Sequence, residues 1–412
     1  MAKKKLNWGR PPWKIAFRSR LKRLPERVDI AIIGGGFTGL TAAAYVKRGD
    51  ARKSVLLLEA GRFGNGASGR TGGLVLAQSA AGDLPGLGDV FGGYKKILRE
   101  LGVEAGLDLR GVWEIARGSQ SMEGKRITPM KNSPIDWSDS GRVRAVKLVA
   151  GGTADPGKVV VGLARAAAKA GAILAENARV VRIELHQPLT PTGKLAFPEA
   201  LLRLHVEMSR RGKILRKVVT AERVLLATNA GTIAEEILGG QKYAEPKLTF
   251  ALATAPLTRK QIAALGMESG RPFYTVDLPY LWGRMLKNHG MIFGSGLVPA
   301  WGTALPGRNT KKLWSGLERE DVRHGESAQR LRSLEQRVRR LHPVLKNVRV
   351  THRWGGPILL TERFVPVFRA HAKSKDAIVL GGFSGHGVAQ SVYLGRWAAE
   401  VLLGRRALPK WK

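Results

Sequence analysis

The stretch VDIAIIGGGFTG, residues 28–39, decides the fold. Its first six residues are almost wholly apolar, which is typical of a strand buried on both faces of a parallel sheet. Three glycines follow in the pattern G-x-G-x-x-G, and residues 40–48 are helix-like. A second buried strand, residues 54–59, ends in an acidic residue. Together these segments form a β-α-β unit, so the sequence predicts a dinucleotide-binding domain.

Each glycine of this pattern has a physical role. Gly34 allows the tight turn, and Gly36 lets the backbone approach a pyrophosphate at the helix N-terminus, where unpaired N–H groups favour anions. Gly39 lets the helix pack closely on the strand. Glu59 is placed to bond the ribose hydroxyls of adenosine, and its charge disfavours NADP because it would repel a 2′-phosphate. The alternative is a glycine-rich turn that binds no ligand.

The segment EAGRFGNGASGRTGG, residues 59–73, favours FAD over NAD. A nicotinamide dehydrogenase has no need of such a stretch directly after the ribose acid. FAD extends from the pyrophosphate through ribityl to the isoalloxazine, and small residues let the chain run beside that extended ligand. Ser68 and Arg70 are candidate hydroxyl and cationic donors to it.

Three motifs now resemble one family. Residues 66–73 read GASGRTGG, residues 382–387 read GFSGHG, and a WGG element lies at 354–356. The chain resembles the D-amino-acid-oxidase-like FAD superfamily, in the branch of glycine oxidase, sarcosine oxidase and gamma-glutamylputrescine oxidoreductase. The motifs occur in the family's order over nearly the whole chain, with Thr71 in place of the usual Asn.

The resemblance implies where FAD is bound. Val180 would contact adenine through its backbone, Thr228 would line the flavin cleft, and the segment 385–388 would lie along the flavin pyrimidine ring. His386 would act either through its side chain or only through its backbone. Together the expected cofactor-binding residues are Gly34, Gly36, Gly39, Glu59, Ser68, Arg70, Gly72, Gly73, Val180, Thr228, Gly356, Gly385, Gly387 and Val388.

Departures from the family pattern limit the resemblance. The chain has no Cys, and Arg70 occupies the region where a His linkage to the cofactor would be expected, so we expect non-covalent FAD. The Lys that sarcosine oxidases carry after G-H-G-F is replaced by Ala389. The Lys that promotes oxygen reactivity has no counterpart near residues 291–293. Sarcosine oxidation, and oxidase rather than dehydrogenase behaviour, therefore stay open.

The resemblance implies oxidation of an amine or amino acid. A hydride would pass from the carbon beside nitrogen to flavin N5, and the imine would hydrolyse. Electrons would then reach oxygen or another acceptor. The predicted catalytic residues are His386, Arg284 and Tyr280: in a strand, Tyr280 and Arg284 share a face with Trp282, and a guanidinium suits a carboxylate. Arg353 is a second candidate carboxylate clamp, and the alternative is that these side chains face core or solvent.

The segments predict an α/β fold with a Rossmann-like FAD-binding domain built from discontinuous pieces, and a second α+β domain with a mostly antiparallel sheet. Residues 1–27 are predicted to form a basic arm anchored by tryptophans. The predicted FAD-binding domain comprises 28–85, 150–239 and 346–412. The predicted substrate domain comprises 86–149 and 240–345.

The chain carries a formal charge of +37. Basic residues concentrate in the arm, around 210–217, and between Arg330 and Arg340, where leucines recur at helical spacing. The simplest interpretation is solvated surface; weak contact with anionic membrane or nucleic acid is the alternative. Without Cys, disulfides and thiolate chemistry are excluded, which fits a cytoplasmic protein. No metal site is predicted, and the sequence indicates no oligomeric state.

Two other functions stay open. One is flavin-dependent dehydrogenation of a hydroxy compound, as in glycerol-3-phosphate dehydrogenases. The other is a basic RNA- or membrane-associated flavoprotein. A hydrolase has little support, because His386 stands where a G-x-S-x-G elbow needs its closing glycine.

Overall fold

We describe the fold from a computed structural model of the chain. It describes residues 7–19, 21, 23–80, 82, 84–116, 145–186, 201–210, 212–229, 244–276, 280–299 and 321–411. The described strands are β1 (Arg27–Ile33), β2 (Val55–Leu58), β3 (Leu74–Leu76), β4 (Val112–Ala116), β5 (Ala145–Val149), β6 (Gly151–Thr153), β7 (Ile173–Ala175), β8 (Ala178–His186), β9 (Leu201–Arg210), β10 (Lys213–Leu226), β11 (Glu245–Pro256), β12 (Phe273–Thr275), β13 (Leu281–Met285), β14 (Gly290–Pro299), β15 (Val350–Leu360), β16 (Val367–His371) and β17 (Ser374–Gly381). The described helices are α1 (Phe37–Gly49), α2 (Ala67–Arg70), α3 (Val90–Glu100), α4 (Pro156–Lys169), α5 (Arg259–Ala264), α6 (Gly325–Leu341) and α7 (Gly387–Leu402).

The first sheet runs in the order β16-β17-β10-β1-β2-β7. Strand β1 lies at its centre and pairs in parallel with β10 and β2. Strands β1 and β2 are the two apolar runs that the sequence predicted as strands, and both are buried because a parallel strand in this position is covered on both faces. The long strand β10 continues outward, where it pairs with β9, and β9 pairs with β8.

Helices cover one face of this sheet, and the β8–β9 ribbon covers the other. The helix face buries residues such as Leu40 of α1, Val160 of α4 and Val392 of α7, each fully inaccessible to solvent. The ribbon face buries Leu202 and Leu204 against the outer side of β1. Apolar burial on both sides stabilises the sheet at roughly 25 cal/mol per Å² of area removed from water.

The second sheet runs in the order β15-β11-β14-β13-β12-β4-β5. Its ladders are antiparallel except between β12 and β4. Helix α6 packs on one face through Leu331, Leu334 and Val338, all buried, while Arg330 and Arg340 stay exposed. The helical spacing seen in the sequence therefore predicted this amphipathic helix correctly.

The predicted fold class is confirmed: one sheet of Rossmann type is assembled from discontinuous segments, and a second sheet is mostly antiparallel. The residue boundaries of the two predicted domains stay a prediction. Two elements belong to a different sheet or core from the one predicted for their residues. Strand β15 belongs to the second sheet, although 346–412 was predicted as FAD-binding, because it pairs along its length with β11. Helix α3 packs its apolar face into the core of the first sheet.

The described part of the basic arm lies against the body of the protein. Trp8 is buried among the residues of the second sheet, and its carbonyl accepts from the N–H of Gly355 (2.9 Å). Trp13 contacts Trp354 edge to face, with ring centroids 5.8 Å apart. Both tryptophans thus act as the predicted anchors. The basic tip lies at the β9–β10 turn around Gly212, with Arg211 outside the described residues.

The helices of the described part of the chain are too short or too polar to cross a membrane.

Candidate active site

A cavity of about 630 Å³ opens where the two sheets meet. Three distant loops line it: the turn after β1, the segment around α2, and the turn before α7. Most of the sequence-predicted site residues line this cavity, namely Gly34, Gly36, Glu59, Ser68, Arg70, Gly72, Val180, Thr228, Tyr280, Gly356, Gly385, His386, Gly387 and Val388. The fold brings them together because the parallel strands of the first sheet end at this edge. Their individual roles stay predictions.

The first loop is held by its own glycines. Gly34 has φ +113°, which an L side chain rarely adopts, and its N–H donates to the carbonyl of Leu58 (2.9 Å). Gly36 precedes helix α1, and the hydroxyl of Ser68 accepts from the N–H of Phe37 (3.0 Å). The N-terminal turn of α1 therefore faces the cavity, and the predicted phosphate-binding loop touches the α2 segment.

Glu59 connects two loops at one end of the cavity. Its carboxylate accepts from the N–H of Gly35 (2.8 Å) and from the N–H of Gly61 (2.8 Å). Burial raises the pKa of Glu59, while these two hydrogen bonds lower it. Val180 lines the same cavity, so the acid and the predicted adenine contact share one site.

The short helix α2 is fastened by two indoles. The indole N–H of Trp13 donates to the carbonyl of Gly69 (2.8 Å), and that of Trp354 donates to the carbonyl of Arg70 (2.9 Å). Burial lowers the pKa of Arg70 to about 10, so its guanidinium remains a cation at neutral pH. Helix α2 thus holds a positive charge at the cavity wall.

The third loop joins β17 to α7. Gly382 (φ +71°) and Gly385 (φ +89°) make its turns, and the side-chain oxygen of Asn229 accepts from the N–H of Gly382 (3.0 Å). His386 directly precedes α7. Burial lowers the pKa of His386, while the carbonyl of Ser384 and the charge of Glu114 raise it. The imidazole is therefore neutral at neutral pH.

Acidification should destabilise the protein through His386. An unfolded His titrates near 6.5, whereas the native side chain has a lower pKa. Between these values the unfolded state binds more protons, so the free energy of unfolding falls as pH falls. We expect the urea midpoint to drop as pH falls below 6.5, and to drop less in His386→Gln.

His371 provides a comparison, because its pKa is also lowered. Burial is the largest cause, and the positive charges of Lys373 and Arg369 add to it. His371→Gln should remove a separate part of the same pH dependence. A midpoint that rises on acidification through this window would contradict the assignment.

The second sheet presents a row of side chains to the other end of the cavity. Cross-strand register places Glu114 of β4 beside Tyr274 of β12, and Tyr274 beside Trp282 of β13. All three line the cavity, as does Tyr280 just before β13. The Tyr274 hydroxyl donates to Glu114 Oε2 (2.6 Å). Burial, then the charge of Glu114 and this hydrogen bond, raise the pKa of Tyr274, so it stays a phenol.

Two predicted carboxylate clamps lie outside the residues that line the cavity. The Arg284 guanidinium lies over the ring of Trp13, 5.8 Å from its centroid. Arg353 faces away from the cavity and forms an ion pair with Glu335 of α6 (2.5 Å). Two predicted cofactor residues, Gly39 and Gly73, also lie behind the lining rather than in it. A role for Arg284 in catalysis stays a prediction.

Glu114 was missed at the sequence level. The signal was an acidic residue inside the apolar strand VWEIA, residues 112–116, where an unpaired charge would be costly. Glu114 reaches the cavity only if its face of β4 points inward, and the register of the parallel β4–β12 pairing sets which face does so.

The cavity suits a bound FAD. Its volume lies in the range of cofactor sites, about 300–1,000 Å³. The N-terminal turn of α1 offers N–H groups for a pyrophosphate. An added Cβ at Gly66 or Gly385 would meet no atom of the chain within 4 Å, so both glycines leave free space.

Comparisons with known proteins agree with this geometry. The family model described as FAD dependent oxidoreductase (DAO) matches residues 29–401. The probable oxidoreductase OrdL of Rhizobium meliloti is 26% identical over 92% of this chain and 84% of its own. Gamma-glutamylputrescine oxidoreductase of Escherichia coli is 25% identical over 91% of this chain and 84% of its own.

Among solved structures, glycine oxidase from Geobacillus kaustophilus superposes with a TM-score of 0.67 at 18% identity, over 94% of this chain and 97% of that one. This likeness concerns the fold. The family match spans the two sheets and all three cavity loops, and the chain belongs to the DAO family of FAD-dependent oxidoreductases.

Proposed function

We propose that this FAD-dependent oxidoreductase oxidises the C–N bond of an amine or amino acid to an imine, which then hydrolyses. The supporting observation is that the three glycine-bearing loops and the aromatic row of the second sheet line one cavity. Relatives named for gamma-glutamylputrescine and glycine favour the same substrate class.

Residues at different positions along the cavity would hold different parts of FAD. Glu59 and the N-terminal turn of α1 would hold the adenosine and pyrophosphate of FAD, and the segment 385–388 would lie against its ring. FAD, when bound, supplies the hydride acceptor, and the protein orients the substrate and excludes water. We propose that the cofactor is held without a covalent bond, because the chain has no Cys and Arg70 stands at the position of the family's His linkage.

The walls around the reacting end favour a neutral amine. An amine must lose its proton before it can release a hydride, and apolar surroundings disfavour the ammonium form. Tyr280 and Trp282 supply such surroundings, together with Phe250 and Ile358. Reduced cofactor would pass electrons to oxygen or to another acceptor.

The hydroxy-compound alternative finds less support. A phosphorylated alcohol needs a cationic group near the reacting end. Among the described residues that line the cavity, the two cations are Arg70, on α2 beside the predicted cofactor loop, and Arg179, beside the predicted adenine contact Val180.

Anaerobic reduction tests the proposal directly. The purified, FAD-loaded protein is mixed without oxygen with amines, N-methyl amino acids and amino acids, and with alcohols of matching carbon skeleton. We expect the visible flavin absorbance to bleach with at least one amine and not with its alcohol counterpart. Bleaching by alcohols alone, or by none of the amines, would rule the proposal out.

A further inference from the structure

The charge distribution along the cavity is uneven. Among its described lining residues, four carry a formal charge: Glu59, Arg70, Glu114 and Arg179. Glu59 and Arg179 flank the predicted adenosine end, and Arg70 lies on α2. Glu114 is thus the one charged group that the described part of the second sheet contributes to the lining.

Glu114 is built into the wall rather than displayed on the surface. Glu114 is 5% exposed, and the Tyr274 hydroxyl donates to its Oε2 (2.6 Å). Its cross-strand neighbour on β5 is Lys147, which does not line the cavity. A carboxylate in such a low-dielectric wall attracts cations and repels anions more strongly than it would in water.

Glu114 also lies in the half of the cavity where the substrate would bind. Its charge acts on His386, which precedes α7 at the end predicted to meet the flavin ring. Register places it one strand from Tyr274 and two from Trp282, on the cavity face of the sheet.

We infer that Glu114 binds a cationic group of the substrate that is remote from the C–N bond to be oxidised, so that the substrate is a diamine or longer polyamine. This inference rests on the proposed function. The reacting nitrogen must be neutral when its hydride leaves, and a carboxylate beside it would stabilise the ammonium instead. A second ammonium, protonated at neutral pH, matches Glu114, and a substrate carboxylate in its place would be repelled.

Two ligands that differ only at the remote end test the inference. Both 1,4-diaminobutane and 4-aminobutanoate present a primary amine for oxidation, and the other end is an ammonium or a carboxylate. Their binding is measured by anaerobic calorimetry on protein whose FAD has first been reduced with dithionite, so that neither amine is oxidised during the titration. We expect the wild type to bind the diamine about 100-fold more tightly, and Glu114→Gln to reduce that ratio to within about threefold.

Control variants separate this effect from general electrostatics and from misfolding. Glu184→Gln removes the same charge on the outer ribbon, where Glu184 pairs with Arg182, and should leave the ratio unchanged. Glu114→Asp keeps the charge and should keep most of the preference, which covers the case that Glu114→Gln does not fold.

The results separate a failure of the inference about Glu114 from a failure of the proposed oxidation. A wild-type protein that prefers 4-aminobutanoate overturns the inference. So does a Glu114→Gln variant that weakens both ligands equally, because Glu114 would then hold the reacting nitrogen. If the diamine binds in a Glu114-dependent way but no amine bleaches the flavin, the binding site stands and the proposed oxidation fails.

Discussion

Replacing Gly39 with alanine is expected to lower the free energy of unfolding by about 3 kcal/mol or more and to abolish measurable FAD binding. An added Cβ would lie 2.0 Å from the Gly34 carbonyl oxygen and 3.2 Å from Ile32 Cγ2. The carbonyl cannot retreat, because Gly34 is held at φ +113° and its N–H is bonded to Leu58. Helix α1 would have to move off β1 and take the phosphate-binding turn with it.

Urea denaturation and FAD titration by fluorescence check this prediction. Gly66→Ala is the matched control for stability, since an added Cβ there meets no atom within 4 Å and its φ of −85° suits any residue. Its unfolding midpoint should stay near the wild-type value. A Gly39→Ala protein with wild-type stability would show that the helix and strand are not in the tight contact described.

Replacing Glu59 with leucine is expected to weaken FAD binding at least 100-fold. The substitution removes the predicted acceptor for the ribose hydroxyls, and it also leaves the N–H groups of Gly35 and Gly61 without their acceptor. Each buried donor left unpaired costs about 1–3 kcal/mol. The apoprotein should therefore also lose stability, since both loops depend on this one carboxylate.

Glu59→Gln should give an intermediate loss, because one oxygen remains to accept a hydrogen bond. Glu222→Gln, a carboxylate on β10 paired with Arg27 outside the cavity, should bind FAD as the wild type does. Titration of the apoproteins gives the dissociation constants. A Glu59→Leu protein with FAD affinity within threefold of the wild type would exclude Glu59 from the cofactor site.

The turns around the cofactor could be predicted from local sequence. Positive φ at Gly34 is a property of its own backbone, and close packing at Gly39 involves Gly34 and Ile32, only a few residues away in the chain, so the residue type reports both directly. The amphipathic helix α6 was equally visible, because helical periodicity is a local property.

Side chains of the second sheet were harder to predict. Alternation places Trp282 and Arg284 on one face of β13, with Tyr280 just before the strand, but it could not say which partner each would meet. Trp282 lies between Gly72 and Gly294 at the cavity, whereas Arg284, two residues on, meets Trp13 of the arm. That difference depends on where a distant segment crosses the strand.

By itself the sequence determined the β-α-β cofactor motif, the FAD family and the two-sheet architecture, because glycine turns and hydrophobic periods express local backbone physics. Only the tertiary structure decided which charged residue of the second sheet lines the cavity. Glu114, Tyr274 and His386 come from elements far apart in the chain, and all three line one cavity because β4 pairs in parallel with β12 and α7 packs against the first sheet. Long-range contacts of this kind leave no periodic signal in any one segment.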